Sequence, residues 1–379
     1  MTSPDPDLEA IVVGAGPAGA SAAFHLARSG RRVLLLEGLA KGRSKSCGGG
    51  MAASVQRWFP FDLSPVVDQV IHEVRFTWCL KDPVTALLPG DSPFWIVRRT
   101  LLDGFLTTQA HDAGAEVRFE SPVDGIVRHN GLWSVNLRGG ECLLTRAVVI
   151  ADGSASRLAT SLGLGSPRPR YAATVAVEVD AVVNEPETAR FEFGLVPHGF
   201  CWCFPRQGGY NIGVGTFIGR EEADSEAVLT TLLPSLGLQP KQGERQSGRL
   251  RIWNGHHPLH GDGLVAVGDA ASLSDPFLAE GLRPSLMSGT YGADAIDRWL
   301  GGDINALAKY SLKMRHDWGE SMAWGRRIAQ VFYRVPKVGY QLGVKRPTAP
   351  QRIAQILSGE MSYGDIAQRV IRRLIFQRK

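Results

Sequence analysis

Apolar residues recur with two different rhythms along the chain. Ala10–Val13 is an unbroken apolar run, followed by a glycine-rich stretch and a helical pattern that continues to Ser29. Gly30 stops that helix, and Arg32–Leu36 reads as a second short strand closed by Glu37. Strand, glycine loop, helix and strand in this order predict the start of a doubly wound parallel sheet. Between about Tyr171 and Gly215 the rhythm changes. ATVAVEVDAVV, ARFEFGLV, FCWCFP and YNIGVGTF are short alternating or aromatic runs separated by Gly and Pro, the pattern of antiparallel strands. After Gly261 the run LVAVGDAA returns to a buried strand, with a helix predicted from about Ala279. The last 80 residues read as helical, with Trp318, Trp324, Phe332 and Tyr333 set among basic side chains.

The expected fold class is therefore α/β with α+β elements. A discontinuous doubly wound domain takes residues 1–75, 97–165 and 253–300, and an antiparallel-sheet domain at 76–96 and 166–252 is inserted into it. Helices at 301–379 are appended. A length of 379 residues with 44% hydrophobic and 21% charged side chains suits such a two-domain globular protein, and argues against disorder or a fibrous repeat. Five cysteines at irregular spacing argue against a disulfide framework, and Cys201-Trp202-Cys203 lacks the second pair that a zinc site needs. No stretch reaches the roughly 18 apolar residues of a membrane-spanning helix, and Met1–Asp7 has no signal pattern. A cytoplasmic location, at most peripheral to a membrane, is expected. Residues 345–379 carry eight basic side chains against Glu360 and Asp365, a net of +6, while the other 344 residues sum to −1. A basic tail on a neutral body points to an anionic surface, and a membrane suits it better than nucleic acid.

The chemistry begins at Gly14-x-Gly16-x-x-Gly19, with Ala18 inside the motif. Such a loop turns tightly, admits a pyrophosphate and aims a helix N-terminus at it. Glu37 follows 18 residues past Gly19 at a strand end, where a carboxylate can hold the hydroxyls of a ribose. An acid there disfavours a 2′-phosphate, which suits FAD or NAD. Two later segments select FAD: an apolar strand ending in Ala151-Asp152-Gly153, and another ending in Gly268-Asp269. A carboxylate at such a strand end sits near ribityl hydroxyls, and the next helix can stabilise the anion of reduced flavin.

These three motifs in this order resemble the glutathione-reductase-like FAD proteins of the p-hydroxybenzoate hydroxylase type over most of residues 8–300. The resemblance implies cofactor contacts at Glu37, Arg99, Asp152 and Asp269; Arg99 belongs to an Arg-x-x-apolar-Asp helix opening that ends at Asp103. Three more segments narrow it: Cys47-Gly48-Gly49-Gly50, then Pro197-His-Gly-Phe200-Cys-Trp202-Cys-Phe204-Pro205, then Ala279-Glu280-Gly281-Leu282. With these the chain resembles the geranylgeranyl reductase family, which implies further cofactor contacts at Cys47, Gly48, Gly50, Gly281 and Leu282. It departs from that pattern at Phe200, where the family has Tyr, and at Ala279, where it has Gly.

The resemblance implies reduction of carbon–carbon double bonds in a polyprenyl chain by a monomeric enzyme. The chain could belong to geranylgeranyl diphosphate, a chlorophyll side chain, an archaeal-type ether lipid or a quinone. Reduced flavin offers the hydride from N5, and the protein must supply orientation, dryness and a proton. Phe200, Trp202 and Phe204 share one face of a strand, either as the wall of an apolar substrate tunnel or as plain sheet core. Cys47 is the candidate catalytic residue: its thiol gates the site, donates a proton or touches substrate, or is merely a small residue that fits under the ring. Cys201 and Cys203 read as packing residues, and His198, His256, His257 and His260 as acids or as ordinary loop histidines. No second GxGxxG unit is present, so electrons come from transiently docked NAD(P)H or from a ferredoxin. The tail from Ile353 to Phe376 is a basic amphipathic helix that lies on a membrane or packs on the body. A flavin monooxygenase or halogenase is the alternative activity, and an isoprenoid carrier the non-enzymatic one.

Overall fold

Five strands form a parallel ladder in the order Glu116–Arg118, Val33–Leu36, Leu8–Val13, Cys142–Ile150 and Leu264–Ala266. The computed structural model describes residues 7–42, 45–217, 224–239 and 241–376. Val33–Leu36, Leu264–Ala266 and the C-terminal halves of Leu8–Val13 and Cys142–Ile150 are buried at every position, which explains their unbroken apolar runs: layers cover both faces, so nothing alternates. One covering layer is the helix Pro17–Arg28, packed against the helices Arg99–Asp112 and Leu282–Leu300. Small side chains allow the close crossing: a Cβ at Gly289 would stand 2.2 Å from the Ala18 carbonyl oxygen.

A second sheet of seven strands runs in the order Glu244–Ile252, Arg170–Asp180, Gly209–Thr216, Gly199–Arg206, Thr188–Phe193, Glu73–Trp78 and Lys81–Leu87. Every pairing is antiparallel except Thr188–Phe193 with Glu73–Trp78. Its two faces have different fates. Cys201 and Cys203 point to the face covered by the helix Ser225–Ser235, among Ile212, Val214, Leu229 and Leu233. Burial pushes both thiols up, Cys203 to about 12, so they are inert packing groups. Phe200, Trp202 and Phe204 face the other way, where Phe191 stands directly opposite Trp202 in the register. A three-stranded sheet of Gly50–Ala52, Phe94–Val97 and Val67–Ile71 also takes part in the main core.

The C-terminal region is mostly helical over its described length. Ala306–Met314 continues through a wide turn at Arg315–Gly319 into Glu320–Arg334, and Pro336–Gly339, Tyr340–Val344, Ala349–Ser358 and Tyr363–Phe376 follow. These helices are fastened by buried aromatic rings whose polar ends reach backbone or carboxylate acceptors. Tyr310 Oη donates to the Ala266 carbonyl (2.8 Å), Trp318 Nε1 to Leu273 (2.7 Å) and Tyr333 Oη to Phe277 (2.8 Å). Tyr340 Oη lies 2.7 Å from the Asp82 carbonyl, and Tyr363 Oη 2.7 Å from Asp275 Oδ2.

One detail differs from the sequence pattern. The helix expected from Ala279 starts at Leu282, because Ala279 holds φ +56°, a left-handed value that no helix accommodates. Of the two readings of the tail, packing on the body holds for the helix Ala349–Ser358, whose Ile353, Ile356 and Leu357 are buried. The tail's side chains from Val370 onward lie outside the described residues, as do Arg378 and Lys379. Among the described residues, no helix is long and apolar enough to cross a membrane.

The Tyr363–Asp275 contact carries a prediction. Asp275 is fully buried, and its carboxyl is raised by that burial while the tyrosine hydroxyl pulls it back. Tyr363→Phe removes the donor and is expected to cost about 1–3 kcal/mol, read as a lower urea midpoint.

Candidate active site

Register in the parallel ladder decides where the chemistry collects. Val13 stands opposite both Leu36 and Ile150, and Ile150 opposite Ala266. The chain therefore leaves these strands side by side, into Gly14, Glu37, Ala151–Gly153 and Gly268–Asp269. Gly14 takes φ +102°, and a Cβ there would stand 2.4 Å from the Ala151 oxygen; one on Gly19 would stand 1.8 Å from the Gly14 oxygen. Gly16 precedes the helix Pro17–Arg28 without any side-chain cap, so the first-turn amides have no side-chain acceptor. Ala18 is buried inside that turn, under Gly268 and Gly289. The Glu37 carboxylate holds the loop from below, accepting from Ala15 N (2.9 Å) and Leu39 N (3.0 Å).

Two cavities flank this loop. One, of about 890 Å³ including its mouth, lies among Ala15, Glu37, Asp103 and Thr107. The other, of about 940 Å³ including its mouth, reaches from Pro17, Arg99, Asp269 and Gly281 to the rings of Phe200, Trp202 and Phe204. Leu282, at the start of a helix whose N-terminus has no side-chain cap, also lines it. Arg99 and Asp103 stand between the two, joined by paired bonds of 2.9 and 2.7 Å. Burial works against the Arg99 charge, but Asp103 and the neighbouring Cys47 outweigh it and raise its pKa, so the guanidinium stays charged.

Acids gather at the polar side of the aromatic-walled cavity. Asp269 accepts from Ser274 Oγ at 2.7 Å and pairs with Lys45 Nζ at 3.4 Å. Glu280 is nine-tenths buried; its Oε2 accepts from Arg283 at 2.6 Å and its Oε1 has no partner. Burial pushes this carboxyl up to about 7, against the pull of Arg283 and with Asp275 adding to the rise. Asp152 lines neither cavity, but its Oδ1 is buried without a partner beside Gly14, and burial raises its pKa.

The opposite wall is aromatic and rests on the Cys47–Gly50 loop. A Cβ on Gly48 would lie 3.0 Å from both Trp202 Nε1 and Phe204, and one on Gly50 would lie 2.7 Å from Phe94. Trp202 lies flat over Gly213, whose Cβ would stand 2.0 Å from the indole. Trp202 Nε1 donates to Asn211 Oδ1 (2.8 Å), and Asn211 Nδ2 donates to the Cys47 carbonyl (3.0 Å). The Cys47 sulfur accepts from Gly49 N at 3.3 Å.

Cys47, Gly48, Gly50, Arg99, Phe200, Trp202, Phe204, Asp269, Gly281 and Leu282 thus share one cavity, with Glu37 at the other. Three further contributors are not evident from the sequence pattern. Glu280 sits inside the Ala279–Leu282 motif, but its burial depends on elements far away in the chain. Lys45 has no obvious setting in sequence and lies against Asp269. Asn211 is an ordinary polar residue until its two partners are known. His198 lies outside the cavity, with Nδ1 2.8 Å from the Tyr333 carbonyl oxygen.

A doubly wound sheet with this loop, acid and pair of cavities defines a dinucleotide-dependent oxidoreductase. The family model for FAD-dependent oxidoreductases matches residues 92–299, and that for an FAD binding domain matches residues 9–65. Digeranylgeranylglycerophospholipid reductase 2 of Methanothermobacter thermautotrophicus is 30% identical over 339 residues, which is 83% of this chain and 85% of the relative. The Thermoplasma acidophilum digeranylgeranylglycerophospholipid reductase is 27% identical over 75% of this chain and 76% of its own. Among solved structures, a geranylgeranyl bacteriochlorophyll reductase-like protein from Thermoplasma acidophilum superposes with TM-score 0.78 at 23% identity, covering 86% and 87% of the two chains. A flavin-dependent brominase reaches 0.73 at 18% identity, covering 98% and 99%, and shares the fold. The chain belongs to the geranylgeranyl reductase family of FAD-dependent oxidoreductases.

The residues present suit FAD. The Cβ-free cradle at Gly14 and Gly19, the uncapped helix start and the unpartnered Asp152 Oδ1 all offer what a dinucleotide uses. Gly14→Ala is expected to weaken FAD binding about tenfold or more, measured by fluorescence titration of the apoprotein. Glu280 yields a pH prediction. Its folded pKa of about 7 exceeds the ordinary 4.5, so folding takes up a proton between these values. The resulting stability is complete below pH 4.5 and is lost as pH rises through 7, a change of about 3 kcal/mol at most. Thermal midpoints measured across that range should fall in the native protein and fall less in Glu280→Gln.

Proposed function

We propose that this enzyme saturates carbon–carbon double bonds in the polyprenyl chains of a geranylgeranyl-type lipid. One observation carries the reading: the cavity entered by the cofactor-side groups Arg99, Asp269 and Gly281 is the same cavity walled by Phe191, Phe200, Trp202, Phe204 and Phe217. A polyprenyl chain has no polar group along its length, so a site for it needs apolar surface beside the redox centre and few donors to satisfy. The names of the relatives agree with that substrate class. The proposal includes contact with the membrane in which such a lipid resides.

The residues that would hold FAD border this cavity, and the cofactor, once reduced, would supply there the hydride that one alkene carbon takes up. The other carbon then needs a proton, and the product gains one H₂ per bond. Glu280 suits the part of proton donor, because its carboxyl lines the cavity and holds a proton up to about pH 7. Cys47, on the loop between Arg99 and the aromatic wall, is the second candidate donor and otherwise sets the shape of the floor. Phe200, Trp202 and Phe204 hold the chain against the redox centre and exclude water. Glu37, Arg99, Asp152, Asp269 and the Gly14–Gly19 loop hold the cofactor. Electrons enter from NAD(P)H or from a ferredoxin.

Lys45 favours a second reading. A lysine lining the cavity is what a flavin halogenase requires, and halogenases and monooxygenases share the fold. Its pairing with Asp269 places the ammonium at the cofactor side rather than among the rings, which favours the reductase.

The test is anaerobic. Holoenzyme is photoreduced and mixed with a digeranylgeranyl glycerophospholipid in detergent; flavin reoxidation with a mass gain of one H₂ per bond is the expected result. No reoxidation by any polyprenyl lipid, together with a product formed only when oxygen and halide are admitted, would replace the reductase with the second reading. Cys47→Ala should retain its FAD and lower kcat about tenfold or more if the thiol acts at the reacting bond.

A further inference from the structure

The segment that seals the aromatic end of the cavity has an unusual outer surface. Between Glu320 and Glu360 the chain has no acidic residue and seven basic ones: Arg326, Arg327, Arg334, Lys337, Lys345, Arg346 and Arg352. Its inner side holds Phe332, Tyr333, Tyr340 and Val344, all buried. Tyr333 meets the cavity wall, 6.1 Å from Phe217 between ring centres, and Phe332 packs 5.3 Å from Phe193, a ring behind the wall residue Phe200. Its outer side presents Val331, Val335, Val338 and Leu342, exposed by 69, 46, 52 and 56%. Steps of four, three and four residues keep them on one face despite the break at Val335. Leu87, 65% exposed, belongs to the adjoining strand, where Gln351 Nε2 bonds its carbonyl.

We infer that the outer face of residues 327–346 is a docking surface for an anionic lipid bilayer, with Val331, Val335, Val338 and Leu342 entering the interface and Arg327, Arg334, Lys337 and Arg346 meeting the headgroups. The inference gains its purpose from the proposed lipid substrate, since docking there places the aromatic end of the cavity one layer of side chains from the membrane. Charge complementarity selects the occupant. Arg334, Lys337 and Arg346 make no ion pair among the described residues, and Lys345 meets only Asp82, so the net field is positive. Unpaired cations framing bare aliphatic side chains match the interfacial helices that rest on anionic membranes. A second copy of the chain would set the same cations against themselves in an isologous dimer. This surface is separate from the apolar side of the tail helix Ala349–Ser358, which is buried.

Holoenzyme is centrifuged with vesicles of phosphatidylcholine alone and of phosphatidylcholine with about one-third phosphatidylglycerol. The expected result is pelleting with the anionic vesicles, weakened by salt. Val338→Glu with Leu342→Glu should lower binding about tenfold or more, with the FAD content and thermal midpoint unchanged. Arg334→Ala with Lys337→Ala should lower it about tenfold and flatten the salt dependence. Equal binding by the native protein and both double variants, or no preference for anionic vesicles, overturns the inference. So does a dimer in solution that the glutamates dissociate, or retention on an acidic ferredoxin column in place of vesicles. Vesicle binding needs no turnover, so it separates this inference from the proposed reaction: binding without alkene reduction leaves the surface standing and removes the reductase, and detergent-phase reduction without binding does the reverse.

Discussion

Asn211 joins the two halves of the site with a single side-chain amide. Its oxygen accepts from Trp202 Nε1 and its nitrogen donates to the Cys47 carbonyl, so the aromatic wall and the loop on the cofactor side are set in one register. The first bond is buried and the second partly so, and an unmatched amide there would be costly, which disfavours alternative positions. Neither the indole over Gly213 nor the glycines beneath Trp202 and Phe204 leave slack: a methyl group at any of these positions meets a ring at 3.0 Å or less. The loop approaches the wall because it lacks side chains, and the wall stays in place because Asn211 holds it.

The cavity combines two environments that seldom share a space. One side carries ions and acids, Arg99, Lys45, Asp269 and Glu280, and the other carries rings. Each ion is answered locally: Arg99 by Asp103 and Lys45 by Asp269. Glu280 is answered in part, by Arg283 on one oxygen, and its other oxygen is left bare. That shortfall raises its carboxyl toward neutrality, as expected for a buried acid whose ionised form is poorly solvated. Fully compensated charges hold geometry, while a partly compensated one is able to exchange a proton at physiological pH.

The C-terminal helices complete the enclosure. They attach through aromatic side chains that bury a large ring and give up one polar end to a carbonyl or carboxylate, as Tyr310, Trp318, Tyr333, Tyr340 and Tyr363 do. Leu357 from the helix Ala349–Ser358 enters the cavity lining. The tail thus forms part of the site as well as of the surface, and its buried side chains, Ile353, Ile356, Leu357 and Tyr363, owe their positions to the body they cover.

Local signals made much of this legible. Unbroken apolar runs ending in Gly14, Glu37, Asp152 and Gly268 announced parallel strands with chemistry at their ends, because burial on both faces removes alternation and the strand ends are where backbone and acids meet a ligand. Alternation at Phe200–Phe204 separated rings from thiols, since a strand's period of two assigns each residue a face without reference to its neighbours. What such periods cannot encode is which distant groups share a space. Glu280 became an acid near neutrality only through burial beside Arg283 and Asp275, Lys45 found Asp269 across 224 residues, and the helix Ala349–Ser358 covered its apolar face only on packing with remote segments such as the strand Lys81–Leu87. Secondary structure and the cofactor motif follow from short-range sterics and hydrogen bonding written into consecutive residues. Ionisation, cavity shape and the destination of an amphipathic face depend on desolvation and contact, which exist only once remote segments are packed together.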